Sequence, residues 1–310
     1  MLSRVADSLY WMSRYMERAD GILRMLRINY ASSQDDFQEF SWKPVLQIFT
    51  YLDEEKSTSI AHDTRAVLQY MVTDRENSNS VLSIITRARE NARSVQDHIT
   101  KELWQCLNDF YHTIRDEHLA KSFHKEDPIT ILDILIKQGL LYYGTADVTM
   151  ARGEGYAFLN IGKFLERGVQ SADILDVKFS DVDYDFAKTD TTYWKYLLLS
   201  ISGYELYLKT YRSAFDAKNV VEQIVLNEDF PRSIIYSINQ LHNKFERLRT
   251  ERNKDGYQKI DFMIGKIRSK VKYSTVESIM QQGLHAYLNG VKEELYEVGN
   301  AFNQYYFAYT

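Results

Sequence analysis

Cysteine, proline and glycine are all scarce in this chain of 310 residues. The one cysteine, Cys106, excludes an intrachain disulfide framework and a cysteine-based zinc site, and it fits a reducing compartment. It falls on an apolar helical row, which favours core packing over a nucleophile. Three prolines and 13 glycines leave few places for the chain to turn sharply, so long uninterrupted elements are expected, and those are helices. Long apolar runs are missing as well. The best, Tyr196 to Leu208, is interrupted by Ser200, Ser202 and Glu205 and falls short of the roughly 20 residues a bilayer span needs. Arg4 and Asp7 break the first eleven residues, so no secretory leader is read there, and the expectation is a cytoplasmic chain without membrane contact. An excess of basic charge is absent: the net charge is -5, which argues against a general nucleic-acid binder.

Catalytic signatures are also lacking. The chain has no Gly-x-Ser-x-Gly elbow and no Gly-rich phosphate loop. The one near match to a Glu-x-x-His pair is Asp109-x-x-His112, and a single copy does not make a di-metal carboxylate site; the other six histidines have no ligand-like spacing among themselves. No metal and no cofactor are expected.

What is present is helical periodicity. Val5, Leu9, Met12, Met16, Ala19, Leu23 and Leu26 alternate in steps of four and three, and Trp11, Tyr15, Arg18, Ile22 and Met25 form a second row beside them. A helix over residues 3 to 30 is therefore apolar around much of its circumference and belongs at the centre of the fold. Shorter helices are predicted over 44–52 and 61–73. A long one is predicted over 80–118, with Val81, Ile85, Ala88, Ala92, Val95, Ile99, Glu102, Cys106 and Asp109 as its seam; the seam begins apolar and turns polar, so a kink or a change of neighbour is expected near Lys101. Asp127-Pro128 marks the start of an apolar helix reaching Ala151, and Tyr156 to Phe179 forms another. After a loop over 180–190, helices are predicted over 191–215, 220–226, 231–252, 258–271 and 274–307. The fold class is all-α: one large multi-helix bundle forming a single domain over 1–310.

Within this pattern one string occurs twice, Arg14-Tyr15-Met16-Glu17-Arg18 and Lys163-Phe164-Leu165-Glu166-Arg167. Both copies keep the same phase against their apolar seams, which suggests an internal duplication with pseudo-repeats over 1–125 and 127–310. Arg18 and Arg167 lie beside the seams, where arginines are uncommon. Two readings follow. As interhelical ion pairs, Arg14, Glu17, Arg18, Lys163, Glu166 and Arg167 fix helix register, and the residues favour this. As a site, a glutamate among arginines could act as acid or base on an anion. A second group beside the seam is the charged cluster Arg87, Arg89, Glu90, Asn91, Arg93 and Asp97, of which Arg89, Arg93 and Asp97 follow one another by a turn and project from one side. With Arg152 in the Arg152-Gly-Glu-Gly break, it offers guanidinium groups suited to a carboxylate or phosphate.

The blocks Leu9 to Asp20, Arg87 to Arg93 with Glu102-Leu-Trp104 and Asn108, Met150 to Arg167, and Pro231-Arg232-Ser233 run in the order of the bacterial Alpha-E family. The chain resembles that family over residues 1 to about 250. The resemblance adds Arg232 to the motif residues. It also implies a setting, since such proteins are encoded beside, or fused to, a circularly permuted ATP-grasp ligase and often a transglutaminase-like peptidase, a grouping thought to make or process peptide-like amides. It carries over no catalytic residues. Ser13 stands where the family commonly has glycine, and Lys163 where it commonly has arginine; a lysine there cannot hold an anion by two parallel hydrogen bonds. The expectation is a non-catalytic accessory module that binds the ligase or its anionic peptide-like substrate. Two alternatives stay open: an enzyme using the Glu-Arg residues, and a purely structural scaffold. Oligomeric state is not legible.

Overall fold

The computed structural model describes residues 1–35, 41–50, 52, 54–116, 119, 123, 127–187, 191–212, 215–250 and 253–308. The expected segment ends at His118, Asp190 and Arg252 lie outside these. Fifteen α-helices and no strand are found among the described residues. In chain order they are α1 (Ser3–Asp35), α2 (Lys43–Phe49), α3 (Glu54–Ile60), α4 (Thr64–Val72), α5 (Val81–Ser94), α6 (Lys101–Arg115), α7 (Pro128–Thr149) and α8 (Glu154–Ser180). There follow α9 (Thr191–Ser200), α10 (Tyr204–Tyr211), α11 (Ala217–Val225), α12 (Ile234–Phe245), α13 (Lys254–Lys272), α14 (Val276–Gln282) and α15 (Leu284–Phe302), closed by one π-helical turn, Asn303–Phe307. Among the described residues no helix is long and apolar enough to cross a membrane.

Three predicted helices are divided, each for a local reason. The segment over 80–118 stops at Ser94 and restarts at Lys101, because Val95 to Thr100 turn through a short 3-10 stretch and the Thr100 hydroxyl caps the Leu103 amide. The break is complete rather than a kink, and it comes with the change of neighbour that was the other expectation, since the second piece packs on α7 as well. The segment over 191–215 breaks at Ile201-Ser202-Gly203, with Ser202 in the left-handed region at φ 57°. The segment over 274–307 breaks at Gly283, whose φ of 90° suits a residue without Cβ. The helix expected from Pro231 starts instead after Ser233, whose hydroxyl accepts from the Tyr236 amide.

The chain divides into two compact units, Tyr15–Met150 and Met1–Arg14 with Ala151–Thr310. In the first, α6 packs on both α5 and α7. Leu103, Leu107, Phe110 and Ile114 of α6 are buried, and two polar contacts reach from it to α7: Cys106 Sγ lies 3.2 Å from Thr145 Oγ1, and the Thr100 and Thr149 hydroxyls are 2.8 Å apart. Residues 15–35 of α1 lie against α7, joined by an ion pair from Arg27 to Asp133 and by Tyr143 to Glu17. In the second unit α8 is the axis. It is apolar and buried along Phe158, Ile161, Leu165, Ala172 and Leu175, and it packs on α12 and α15, which are joined by α13. The first turns of α1 close this unit through Tyr10, whose ring meets Phe302 and Phe307 at centroid distances of 6.0 and 5.1 Å.

Candidate functional site

The two Glu-Arg strings meet. Arg14 Nε donates to Glu166 Oε2 at 2.8 Å, with the arginine 8% and the glutamate 2% exposed. Arg14 Nη1 donates to the Tyr10 hydroxyl at 3.2 Å, and its guanidinium lies 4.7 Å from the Trp11 ring. Burial works to lower the pKa of Arg14, but Glu166 and Tyr10 outweigh it, so the guanidinium is held above its ordinary range. Burial raises the Tyr10 phenol, with Arg14 opposing. This close approach of helices depends on Gly162: a Cβ there would stand 2.2 Å from the Tyr10 carbonyl oxygen.

Glu17, fully buried, accepts from the Tyr143 hydroxyl at 2.7 Å inside the other unit. Arg18, Lys163, Arg167 and Arg232 are half-buried. Arg167 donates to the Pro231 carbonyl at 3.1 Å, and the Arg232 carbonyl accepts from the Ser171 hydroxyl at 2.8 Å, so the Pro231-Arg232-Ser233 block is tied to α8. Lys163 lies over the Phe164 ring at 4.6 Å. Arg152 lies 4.1 Å over the Tyr156 ring, and its carbonyl accepts from Arg247.

The arginines of α5 do not act as one group. Arg89 turns onto α6, where its Nε donates to Asn108 at 2.9 Å and its guanidinium lies 4.6 Å from the Tyr111 ring and 5.4 Å from Trp104. Glu90 is shared between Arg89 and Arg93, at 3.1 and 2.7 Å. Asn91 is half-buried. Arg87 points elsewhere, into an open pocket of about 460 Å³ where α5 begins and α6 ends. Arg75, from the turn before α5, and Arg115, from the last turn of α6, line the same pocket with Tyr111, Ser83 and Thr86. Arg115 Nη1 donates to the Tyr111 hydroxyl at 2.9 Å, which leaves that hydroxyl's own hydrogen available to a ligand. Neither Arg75 nor Arg87 has a carboxylate partner among the described residues, and the pocket's one acidic side chain is Glu76. Three guanidinium groups and one carboxylate thus line one recess, which gives it an excess of positive charge. Reading along the helices found Arg87 but missed Arg75 and Arg115. Arg115 could have been reached through its i,i+4 spacing from Tyr111; Arg75 left no signal.

A second cluster that periodicity did not reveal lies in the α8 unit. Lys292 on α15 donates to Asp173 at 2.9 Å, while Asp176 takes the Tyr184 hydroxyl at 2.8 Å and lies 2.9 Å from His285 Nδ1. Burial raises Asp173, with Lys292 opposing. Among the described residues no three His, Cys, Asp or Glu side chains are placed to hold a metal ion.

The fold and these contacts define an all-helical protein in which a buried arginine joins two Glu-Arg segments. The Alpha-E family, described as a predicted alpha-helical domain with a conserved ER motif, matches residues 1–307, and the chain belongs to it. Among curated proteins it is similar to an uncharacterized protein of Mycobacterium bovis, 23% identical over 315 residues that cover 92% of this chain and 34% of the relative. Uncharacterized proteins of two Mycobacterium tuberculosis strains match over the same shares at 22% and 23% identity. The chain thus spans about a third of the length of these relatives. No solved structure matches.

Proposed function

We propose that this chain is a non-catalytic accessory module of the bacterial cytoplasm that holds an anionic, peptide-like substrate for an ATP-grasp amide ligase. The observation that carries the reading is the pocket lined by Arg75, Arg87 and Arg115. Its guanidinium groups offer fork-shaped donors that match the two oxygens of a carboxylate, and the Tyr111, Ser83 and Thr86 hydroxyls supply further polar contacts. The partner enzyme rests on the family setting given above. The Glu-Arg residues act as structure in this reading, because Glu17 and Glu166 are sealed in the core and already engaged by Tyr143 and Arg14.

Calorimetric titration with a dipeptide ending in glutamate tests the proposal. Binding is expected, and Arg87→Ala should weaken it about tenfold or more, as expected for removal of a charge-assisted hydrogen bond. Arg75 and Arg87 are exposed, so their loss leaves the fold intact. No binding of the dipeptide, or binding unchanged when Arg75, Arg87 and Arg115 are all replaced by alanine, would overturn it. The ligase should co-purify with the module, and its turnover should fall when the module carries Arg87→Ala.

A further inference from the structure

The pocket lined by Arg75, Arg87 and Arg115 also holds a group that does not suit an anion, the carboxylate of Glu76. Among the described residues Glu76 forms no ion pair, although it follows Arg75 in the chain and shares the recess with two further arginines. On the next turns of α5 the behaviour is different, since Glu90 takes both Arg89 and Arg93. The turn that carries Arg75 and Glu76 is held in place by side-chain bonds. The Glu76 amide donates to Asp74 Oδ1 at 2.8 Å, the Asn79 amide donates to Asn77 Oδ1 at 2.9 Å, and the buried Asn77 side chain donates to the Tyr70 carbonyl at 2.9 Å. Bonds of this kind fix a turn locally, so the two charges leave a backbone with a set conformation.

The hydroxyls of the pocket divide in the same way. Tyr111 accepts from Arg115 and keeps a hydrogen to donate to an anion. Thr86 gives its hydrogen to the Leu82 carbonyl at 2.7 Å, so toward the pocket its oxygen only accepts. A carboxylate has no use for an acceptor oxygen or for Glu76, whereas an ammonium group uses both. Three guanidinium groups and one carboxylate in one recess match a ligand with several carboxylates and one ammonium group, because every charge then meets its opposite. A short acidic peptide with an unblocked amino end has that charge set. Glutamyl-glutamate, for example, carries three carboxylates and one ammonium group at neutral pH.

Resting on the reading of this pocket as a carboxylate site, we infer that its ligand is a short acidic peptide with a free amino terminus, whose carboxylates lie on the arginines and whose ammonium group is read by Glu76. Glu76 is then the residue that sets specificity. A peptide of the same sequence with its amino end acylated leaves Glu76 facing carboxylates with no counter-charge, and is rejected.

Calorimetric titration of the full chain with glutamyl-glutamate and with its N-acetyl derivative tests this. The free peptide should bind about tenfold more tightly or better, as expected for one charge-assisted hydrogen bond. Glu76→Gln should erase that preference: the free peptide weakens about tenfold, and the acetylated one binds as before or more tightly because a like charge has gone. Glu76 is exposed, so its replacement leaves the fold intact. Arg87→Ala should weaken both peptides alike. Equal binding of the two peptides, with both weakened by Arg87→Ala, would overturn the role of the amino terminus while the carboxylate reading stands. A preference for the free peptide that survives Glu76→Gln would overturn the assignment to Glu76. If neither peptide binds, the carboxylate reading falls and this inference falls with it.

Discussion

Removing the guanidinium of Arg14 should cost far more than removing the whole ion pair. In the native chain a carboxylate 2% exposed faces a guanidinium 8% exposed across 2.8 Å. Arg14→Met takes the cation from Glu166 and also removes the donor to the buried Tyr10 hydroxyl. Losing one partner of a buried pair costs about 3–5 kcal/mol, and the Tyr10 hydrogen bond adds about 1 kcal/mol. Glu166→Leu leaves the guanidinium in the same apolar surroundings and should cost a similar amount. The double variant has no charge left to desolvate, and shape-matched apolar replacements of a buried pair are often neutral, so it should lie within about 1 kcal/mol of the wild type. Non-additivity of at least about 5 kcal/mol is the signature. Arg14→Lys should not rescue: the atom that meets Glu166 is Nε, and lysine carries its only nitrogen farther out. Urea unfolding followed by far-UV circular dichroism measures all four variants. Single variants that each cost under about 1 kcal/mol, or a double variant that costs the sum of the singles, would refute the claim that the two Glu-Arg segments are locked by this pair.

Gly162→Ala should destabilise by more than about 3 kcal/mol in the same assay, because its Cβ would stand 2.2 Å from the backbone oxygen of Tyr10 and only a shift of one helix can relieve that; a loss under about 1 kcal/mol would show that the helices are not in that contact. Ser13 is fully buried, and its hydroxyl has no hydrogen-bond partner among the described residues, so Ser13→Ala should raise stability by about 1 kcal/mol, and a measured loss would mean the hydroxyl is satisfied. Lys178 supplies a pH test. Burial lowers its pKa, with Asp181 opposing, so the folded chain holds this proton less tightly than the unfolded chain does. Between the lowered value and the ordinary 10.5, the unfolded state binds more protons, and the group's contribution to stability rises with pH across that window. Lys178→Met should flatten that alkaline rise and raise stability at neutral pH. Unfolding curves for both proteins from neutral pH to about 10.5 that keep the same slope would contradict it.

Much of the fold was legible because burial repeats at helical spacing. Every member of the row Val5, Leu9, Met12, Met16, Ala19, Leu23 and Leu26 is buried, as are Val81, Ile85, Ala88, Ala92 and Val95. The helix start at Asp127-Pro128 was legible because an aspartate followed by proline announced it, whereas the caps Thr100 and Ser233 were missed inside runs whose helical pattern continues across them. Ser202 is a further example: a serine in the left-handed region carries no warning, and the Tyr- and Leu-rich run continues through it. The helix Glu54–Ile60 escaped because EEKSTSI has no apolar row; among the residues of that run described as buried is only Ser57.

The arginine-lined pocket was half legible for a related reason. Periodicity reports which residues share a face of one helix, and on that basis Arg89 and Arg93 belong together, while Arg87, two residues before Arg89, faces another way. Tertiary packing reassigns them. Asn108, Trp104 and Tyr111 on α6 offer Arg89 a hydrogen bond and two ring faces, so Arg89 becomes part of the seam between α5 and α6. Glu90 occupies Arg93. Arg87, two residues before Arg89, lines a pocket with Arg75 and Arg115, which share it because α5 begins where α6 ends. An arginine with good partners nearby is used for packing, and one without them is left for solvent or ligand. The same distinction separates Arg14, held by Glu166 and Tyr10, from the pocket arginines, and it is why the first is expected to matter for stability and the second for binding.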